Sequence, residues 1–185
     1  MVSSPRAPFC LMLLACLIPS QGRASTALDL SVEELTLRAG RVVRARVVGT
    51  GARWSAGGRR IVTETRLEVL EALAGEARSR ELRVVQPGGA VDGLVQEVIG
   101  AAQFSPGEEV VVFLEPAGAG PTSRVVGMAL GKFRVLRPDG KAAQVRRDGL
   151  ERVRVLHPMT HRPQGPERAL SLDALRAQIR AAGER

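Results

Sequence analysis

Between Ile61 and Val69 the chain alternates without a break: Ile61, Thr63, Thr65, Leu67 and Val69 fall on one side, with Glu64, Arg66 and Glu68 on the other. A period of two sends successive side chains to opposite faces, so this stretch reads as a long strand with one face buried. A second segment tightens the constraint. Val110-Val111-Val112-Phe113-Leu114 is continuously apolar and follows the turn signal Pro106-Gly107 and the pair Glu108-Glu109, as expected of a central strand covered on both faces. Further strand material lies at 41–48, ending at Gly49, Gly51 and Gly57-Gly58, and at 82–85, halted by Gln86-Pro87-Gly88-Gly89. Leu94 to Ile99 fits either a strand or a helical turn, and Gly100 to Ser105 reads as a loop carrying Phe104 inward. From Arg124 to Leu136 strand material is interrupted by Gly127 and Gly131, where a barrel strand bends. Arg137-Pro138-Asp139-Gly140-Lys141 is then a hairpin turn, with Val145 on the returning strand. The expectation is a mainly β protein, a small antiparallel β-barrel.

Two helices flank the strands. Ser31 caps a short one with Glu34 three residues on, as in a capping box, and Gly40 stops it. Ser171 caps the second, a C-terminal amphipathic helix whose Leu172, Leu175 and Ile179 share a face and whose Arg176 and Arg180 suit its C-terminal end. That apolar face either docks back on the barrel or receives a partner. Between His157 and Pro166 three prolines mark an extended linker.

The N-terminal segment sets the compartment. Arg6 is a positive n-region, Phe9 to Ile18 an apolar run too short to span a bilayer, and Gly22-Arg23-Ala24 offers small residues at −3 and −1 of a cut before Ser25. The organisation expected is a signal peptide over 1–24, a barrel domain over 25–156, the Pro-rich linker over 157–170 and the C-terminal helix over 171–185. A periplasmic or extracellular location follows, with no transmembrane span. The rival is a lipoprotein signal at Leu13-Leu14-Ala15-Cys16, with a lipid anchor on Cys16. Both cysteines, Cys10 and Cys16, lie in this leader, so the mature chain has no thiol for a disulfide, a nucleophile or a zinc site. The formal net charge of +8 falls by two, the charges of Arg6 and Arg23, when the leader is removed. Nearly all the positive charge is arginine, with Lys132 and Lys141 the only lysines, and it reads as a soluble basic surface.

No constellation in the mature chain commits it to a reaction. His157 and His161 have helical spacing, but Pro158 and Pro163 disfavour the helix that would make them a metal pair. Glu33, Glu34, Glu108 and Glu109 come as adjacent pairs and read as capping and surface groups, because neighbours on a strand point to opposite faces. No Gly-x-Ser-x-Gly elbow is present, and Gly57-Gly58 and Gly118-Ala119-Gly120 lack the lysine of a phosphate loop. Nucleic-acid binding is disfavoured too: there is no tyrosine, and Trp54 is the only tryptophan available for base stacking. No catalytic, metal or cofactor residue is assigned.

The order Val42 to Val48, Ile61 to Gly75, Gln86-Pro87-Gly88-Gly89 and Phe104-Ser105-Pro106-Gly107-Glu108-Glu109-Val110-Val111-Val112-Phe113-Leu114 resembles a group of uncharacterised exported bacterial proteins over most of residues 31–136. More distantly the layout is similar to the netrin-like domain shared with tissue inhibitors of metalloproteinases. That resemblance implies an OB-like barrel and nothing further. Those inhibitors act through an N-terminal cysteine, which the mature chain lacks. The expected function is therefore a noncatalytic binding or interaction module of the cell envelope or secreted fraction. Its partner would be an exported protein such as a protease, met by a contact patch of Arg53, Trp54, Arg59 and Arg60. Trp54 has a second reading as a core plug. The alternative function is an exported hydrolase whose carboxylates or Ser105 converge only in three dimensions.

Overall fold

The computed structural model describes residues 25–76, 79–118, 120–165 and 169–184; the leader, with Cys10 and Cys16, lies outside them. Among the described residues twelve strands and two α-helices follow one another. The strands are β1 (Ser25–Leu28), β2 (Arg41–Trp54), β3 (Ile61–Ala74), β4 (Glu81–Pro87), β5 (Gly89–Val91), β6 (Leu94–Gln96), β7 (Glu109–Pro116), β8 (Thr122–Val125), β9 (Lys132–Leu136), β10 (Gln144–Arg147), β11 (Val153–Leu156) and β12 (Leu170–Ser171). Helix α1 (Val32–Arg38) precedes β2, and α2 (Leu172–Gly183) follows β12. The protein is thus mainly β, as its alternating patterns imply. Eight strands form one sheet in the order β12-β10-β9-β7-β2-β3-β4-β8, and β8 also bonds to β7. Its pairings are antiparallel except β4 with β8.

The apolar run of β7 is explained by what covers it. Val110, Val112 and Leu114 point into one cluster with Val43, Ala45 and Val47 of β2, Leu67 of β3, and Leu82 and Val84 of β4. Val111 and Phe113 point the other way, into a second cluster built from Leu35 of α1, Leu172, Leu175 and Ile179 of α2, and Phe133 and Val135 of β9. A strand with an apolar layer on each side has no wet face, so alternation disappears. Each side chain fully removed from water in these clusters contributes roughly 1.5–3 kcal/mol before entropy is counted.

Both helices form where the capping signals put them. The Ser31 hydroxyl accepts from the Glu34 N–H at 3.1 Å, and the Glu34 carboxylate accepts from the Ser31 N–H at 2.9 Å. The two donors left bare by the first turn are thereby satisfied reciprocally. Ser171 accepts from the Ala174 N–H at 3.1 Å at the start of α2. Helix α2 docks on the sheet: its buried Leu172, Leu175, Ile179 and Ala182 repeat at helical spacing along the face toward α1 and β3. Sequence pattern alone leaves two long-range ties unannounced. Strand β1 pairs in parallel with β11, and Arg147 of β10 ties the same N-terminal segment down through Asp29 at 2.7 Å while lying over the Phe133 ring. Gly131 passes so close to β8 that a Cβ there would lie 2.2 Å from the Val126 carbonyl oxygen, so only glycine fits.

Strand β2 runs on well beyond its neighbour β7. Pairing between β2 and β7 ends at Arg46 and Glu109, yet β2 and β3 remain paired out to Trp54 and Ile61. The register shift between Val47 and Gly49 marks the point of departure, because a bulge bends and twists the strand that contains it. The result is an arm of β2 and β3, flanked by β4 as far as Val62 opposite Pro87, whose tip is the turn from Ser55 to Arg60, closed by Ser55 N–H to the Arg60 carbonyl at 2.8 Å.

Candidate functional site

The four residues of the expected contact patch all lie at the end of this arm. Trp54 sits on the face shared with Ile61, its partner across the ladder, and its indole N–H donates to Asp92 at 3.3 Å. Asp92 occupies the turn of the β5–β6 hairpin with φ +51°, and this hairpin lies along the arm. Gly89 permits the approach: with φ +137°, any Cβ there would meet Thr63 Oγ1 at 2.7 Å and Ala52 Cβ at 2.8 Å. Trp54 remains 37% exposed, which overturns its reading as a core plug. Strand β7 has left β2 after Arg46, and the indole at the end of the ladder is covered only in part, with Asp92 of the β5–β6 hairpin against it.

Arg53 points to the opposite face and reaches Glu64 at 3.3 Å. Arg59 and Arg60 stand in the exposed turn, and among the described residues neither forms an ion pair. Exposed paired arginines contribute little to stability; unpaired ones at a projecting tip contribute an outward positive field.

The face of β3 that carries Trp54's partners continues inward to a cavity of about 480 Å³. Thr63 and Gln86 oppose each other across the β3–β4 ladder, as do Thr65 and Val84, so all four project to one side. Their inner neighbours Leu67 and Leu82 belong to the apolar interior. The cavity begins where that interior turns polar, and Phe104 and the segment from Val95 to Gln103 wall it on the other side.

A third feature is ionic. Lys132 Nζ lies 2.8 Å from Glu108 and 3.0 Å from Asp148, with only 3% of the lysine and 4% of the glutamate side chain exposed. The other Glu108 oxygen accepts from the Ser105 N–H at 3.1 Å, and Lys132 Nζ stands 5.2 Å from the Phe104 ring centroid. Glu108 is therefore an interior group, contrary to its expected place on the surface. Glu109 does face the other way, as neighbours on a strand must, but it too is largely covered. It joins a chain of alternating charge: Arg137 to Glu109 at 2.8 Å, Glu109 to Arg44 at 2.8 Å, Arg44 to Glu71 at 2.9 Å and Glu71 to Arg176 at 2.6 Å. Through Arg176 this network fastens α2 to β3.

Burial pushes the Glu71 and Glu109 carboxyls up, but hydrogen bonds from Arg176 and Arg44 on the first, and from Arg137 and Arg44 on the second, outweigh it and hold both below the usual carboxylate range. The unfolded chain then binds protons more readily than the folded one. The stabilisation is complete above the ordinary carboxylate value and is lost as pH falls through the depressed folded values. Denaturant unfolding at a series of pH values from about 6 to 3 is expected to give a falling free energy, with a shallower fall in Glu71→Gln. Equal slopes in the two proteins would show that the network carries none of it.

These arrangements bear on catalysis directly. Glu108 and Asp148 converge, as an acid pair would, yet a lysine stands between them and the Glu108 oxygens are spent on Lys132 and a backbone N–H. Ser105 is exposed, and its main chain brackets the same turn through the Glu108 N–H to its carbonyl at 3.1 Å. His157 and His161 lie in an exposed turn that returns on β11; His157 Nδ1 accepts from the Met159 and Thr160 N–H groups at 3.2 and 3.3 Å. That imidazole caps a turn. Among the described residues no group of three or more His, Cys, Asp or Glu could hold a metal. Among the described residues no helix is long and apolar enough to cross a membrane.

No protein-family model matches the chain, and no curated protein matches it significantly.

Proposed function

We propose that this chain is a noncatalytic binding module of the bacterial cell envelope or secreted fraction. It is built on an OB-like barrel and grips an exported protein, a protease among the candidates, with the tip of the β2–β3 arm. The observation that carries this reading is a partly exposed indole, fixed by Asp92, on the same arm tip as Arg59 and Arg60, which have no carboxylate partner among the described residues. Tryptophan and arginine are the residue types that dominate binding energy at protein interfaces. The hydrogen bond from Trp54 to Asp92 orders the indole beforehand and so lowers the entropic cost of presenting it. The matching surface on the partner is an apolar pocket rimmed by acidic groups.

The barrel reading is supported by the pairing order. Strand β8 bonds to both β4 and β7, so the partners run β2 to β3 to β4 to β8 to β7 and back to β2, with β4 and β8 parallel. That ring is the arrangement expected of a five-stranded OB-type barrel. The arm is then the enlarged connection between its first two strands.

The test is a comparison of captured partners. The mature chain, an Arg59→Glu/Arg60→Glu variant and Trp54→Ala are each used to capture protein from an envelope extract, and each is assayed on generic ester, peptide and glycoside substrates. One stoichiometric partner is expected for the mature chain, lost in the charge-reversal variant, with binding weakened by about 2 kcal/mol or more in Trp54→Ala. The charge-reversed residues are exposed and form no ion pair among the described residues, so the variant should unfold within about 0.5 kcal/mol of the parent. Turnover abolished by one substitution at Glu108 or Ser105 would replace this reading with the hydrolase.

A further inference from the structure

Two polar side chains at the floor of the cavity between β3, β4 and the Val95–Phe104 segment have no partner for a buried atom. Thr65 is completely buried and Gln86 is 5% exposed, and neither Thr65 Oγ1 nor Gln86 Nε2 makes a hydrogen bond. Their neighbours are satisfied within the fold: Thr63 Oγ1 donates to the Gly88 carbonyl at 2.8 Å, and Gln96 Oε1 accepts from the Ile61 N–H at 3.0 Å. Leaving a buried donor unmet costs the whole desolvation of that group. Valine at 65 and leucine at 86 would continue the apolar interior of Leu67, Leu82 and Val84 without that cost. Polar atoms that the fold does not use, both facing one cavity, mark what the cavity is shaped to receive.

We infer that this cavity binds an acetamido group, carried by an N-acetylated sugar or an N-acetylated amino-acid amide. Thr65 and Gln86 are diagonal neighbours across the β3–β4 ladder, within reach of one small group. Gln86 Nε2 is a donor and takes the acyl oxygen. Thr65 Oγ1 has lone pairs and takes the amide N–H. Val98, Ala101, Ala102 and Phe104 supply an apolar wall for the methyl. The ligand is uncharged, because the one ionisable side chain lining the cavity is Glu97, which is already held by Arg152 at the exposed rim. A charged ligand would be stripped of water with no countercharge to meet it. The volume, about 480 Å³, lies within the range of small-molecule sites. This site is separate from the arm tip and stands whether or not the tip has a partner.

The experiment is an NMR titration of the isotopically labelled mature protein with four probes: N-acetylglucosamine, N-acetylalaninamide, glucose and glucosamine. Saturable shifts at Thr65, the Gln86 side-chain amide and Ala101 to Phe104 are expected from at least one acetamido probe and from neither control. Which of the two acts distinguishes a sugar from a peptide-like source. Thr65→Val and Gln86→Leu should each weaken that binding by about tenfold or more, the worth of one hydrogen bond in a dry site. Both should melt at or above the parent temperature, whereas Arg59→Glu/Arg60→Glu should bind as the parent does. The inference is overturned if neither acetamido probe moves these resonances, as when the cavity holds water alone, or if glucose binds equally well. It is also overturned if the two variants melt well below the parent, which would mean that the polar atoms serve the fold.

Discussion

Replacing Lys132 with methionine is expected to lower the unfolding free energy by about 3–5 kcal/mol, the usual consequence of removing one partner from a buried ion pair. The size follows from where the charges sit. Lys132 and Glu108 are both almost fully enclosed, and Asp148 adds a second carboxylate to the same ammonium. Without the lysine, two negative charges share a site whose nearest remaining cation is Arg134, half exposed and 3.7 Å from Glu108. Methionine keeps the length of the side chain, so the loss is electrostatic more than steric. The companion variant Lys132→Met/Glu108→Gln should recover part of the stability, because a neutral amide can still accept from Ser105 without an uncompensated charge. Urea unfolding of the three proteins checks this. A cost below about 1 kcal/mol for the single variant would mean that water already reaches the cluster.

The second large effect is expected at the junction of helix and sheet. Leu175 is completely buried in the cluster with Leu35, Val42 and Phe113. Leu175→Ala removes methyl groups from a packed site and leaves a cavity, so a loss of about 2–5 kcal/mol is expected in thermal or denaturant unfolding. A loosely held helix would tolerate the change at almost no cost. The same variant should leave partner capture intact, since the arm lies at the far end of β2 and β3 from their contacts with the helices.

How much of this was legible beforehand depended on the range of the interactions involved. Ile61 to Leu67 and Val110 to Leu114 announce their strands because burial repeats along the chain itself. Ser31 with Glu34, and Ser171, announce the helix starts because a cap acts over three residues. Lys132 gives no such sign: between Gly131 and Phe133 it looks like any solvated charge on a strand. Only its register opposite Val112 turns it inward toward Glu108 and Asp148. Thr65 was visible as a strand residue, whereas Gln86 was read as the stop after a strand at 82–85 that in fact runs to Pro87; neither was visible as an unmet polar group, since that property depends on what the Val95–Phe104 segment fails to offer them. Trp54 falls by sequence in a glycine-rich turn after a strand that ends at Val48, whereas β2 runs on to Trp54 itself; glycines mask a strand that ladder pairing with β3 sustains, and the departure of β7 from β2 after Arg46 is a tertiary event. The short β1 strand has four residues and a partner far along the chain at β11, too little for a periodic signal.

The claim that the arm is the working surface has one direct measurement: hydrogen–deuterium exchange of the mature protein with and without its captured partner. Slowed exchange should concentrate in the outer part of β2, the Ser55–Arg60 turn and the β5–β6 hairpin that braces Trp54. Protection confined to α2 or to the β9–β10 edge, with the arm exchanging as freely as before, would contradict it.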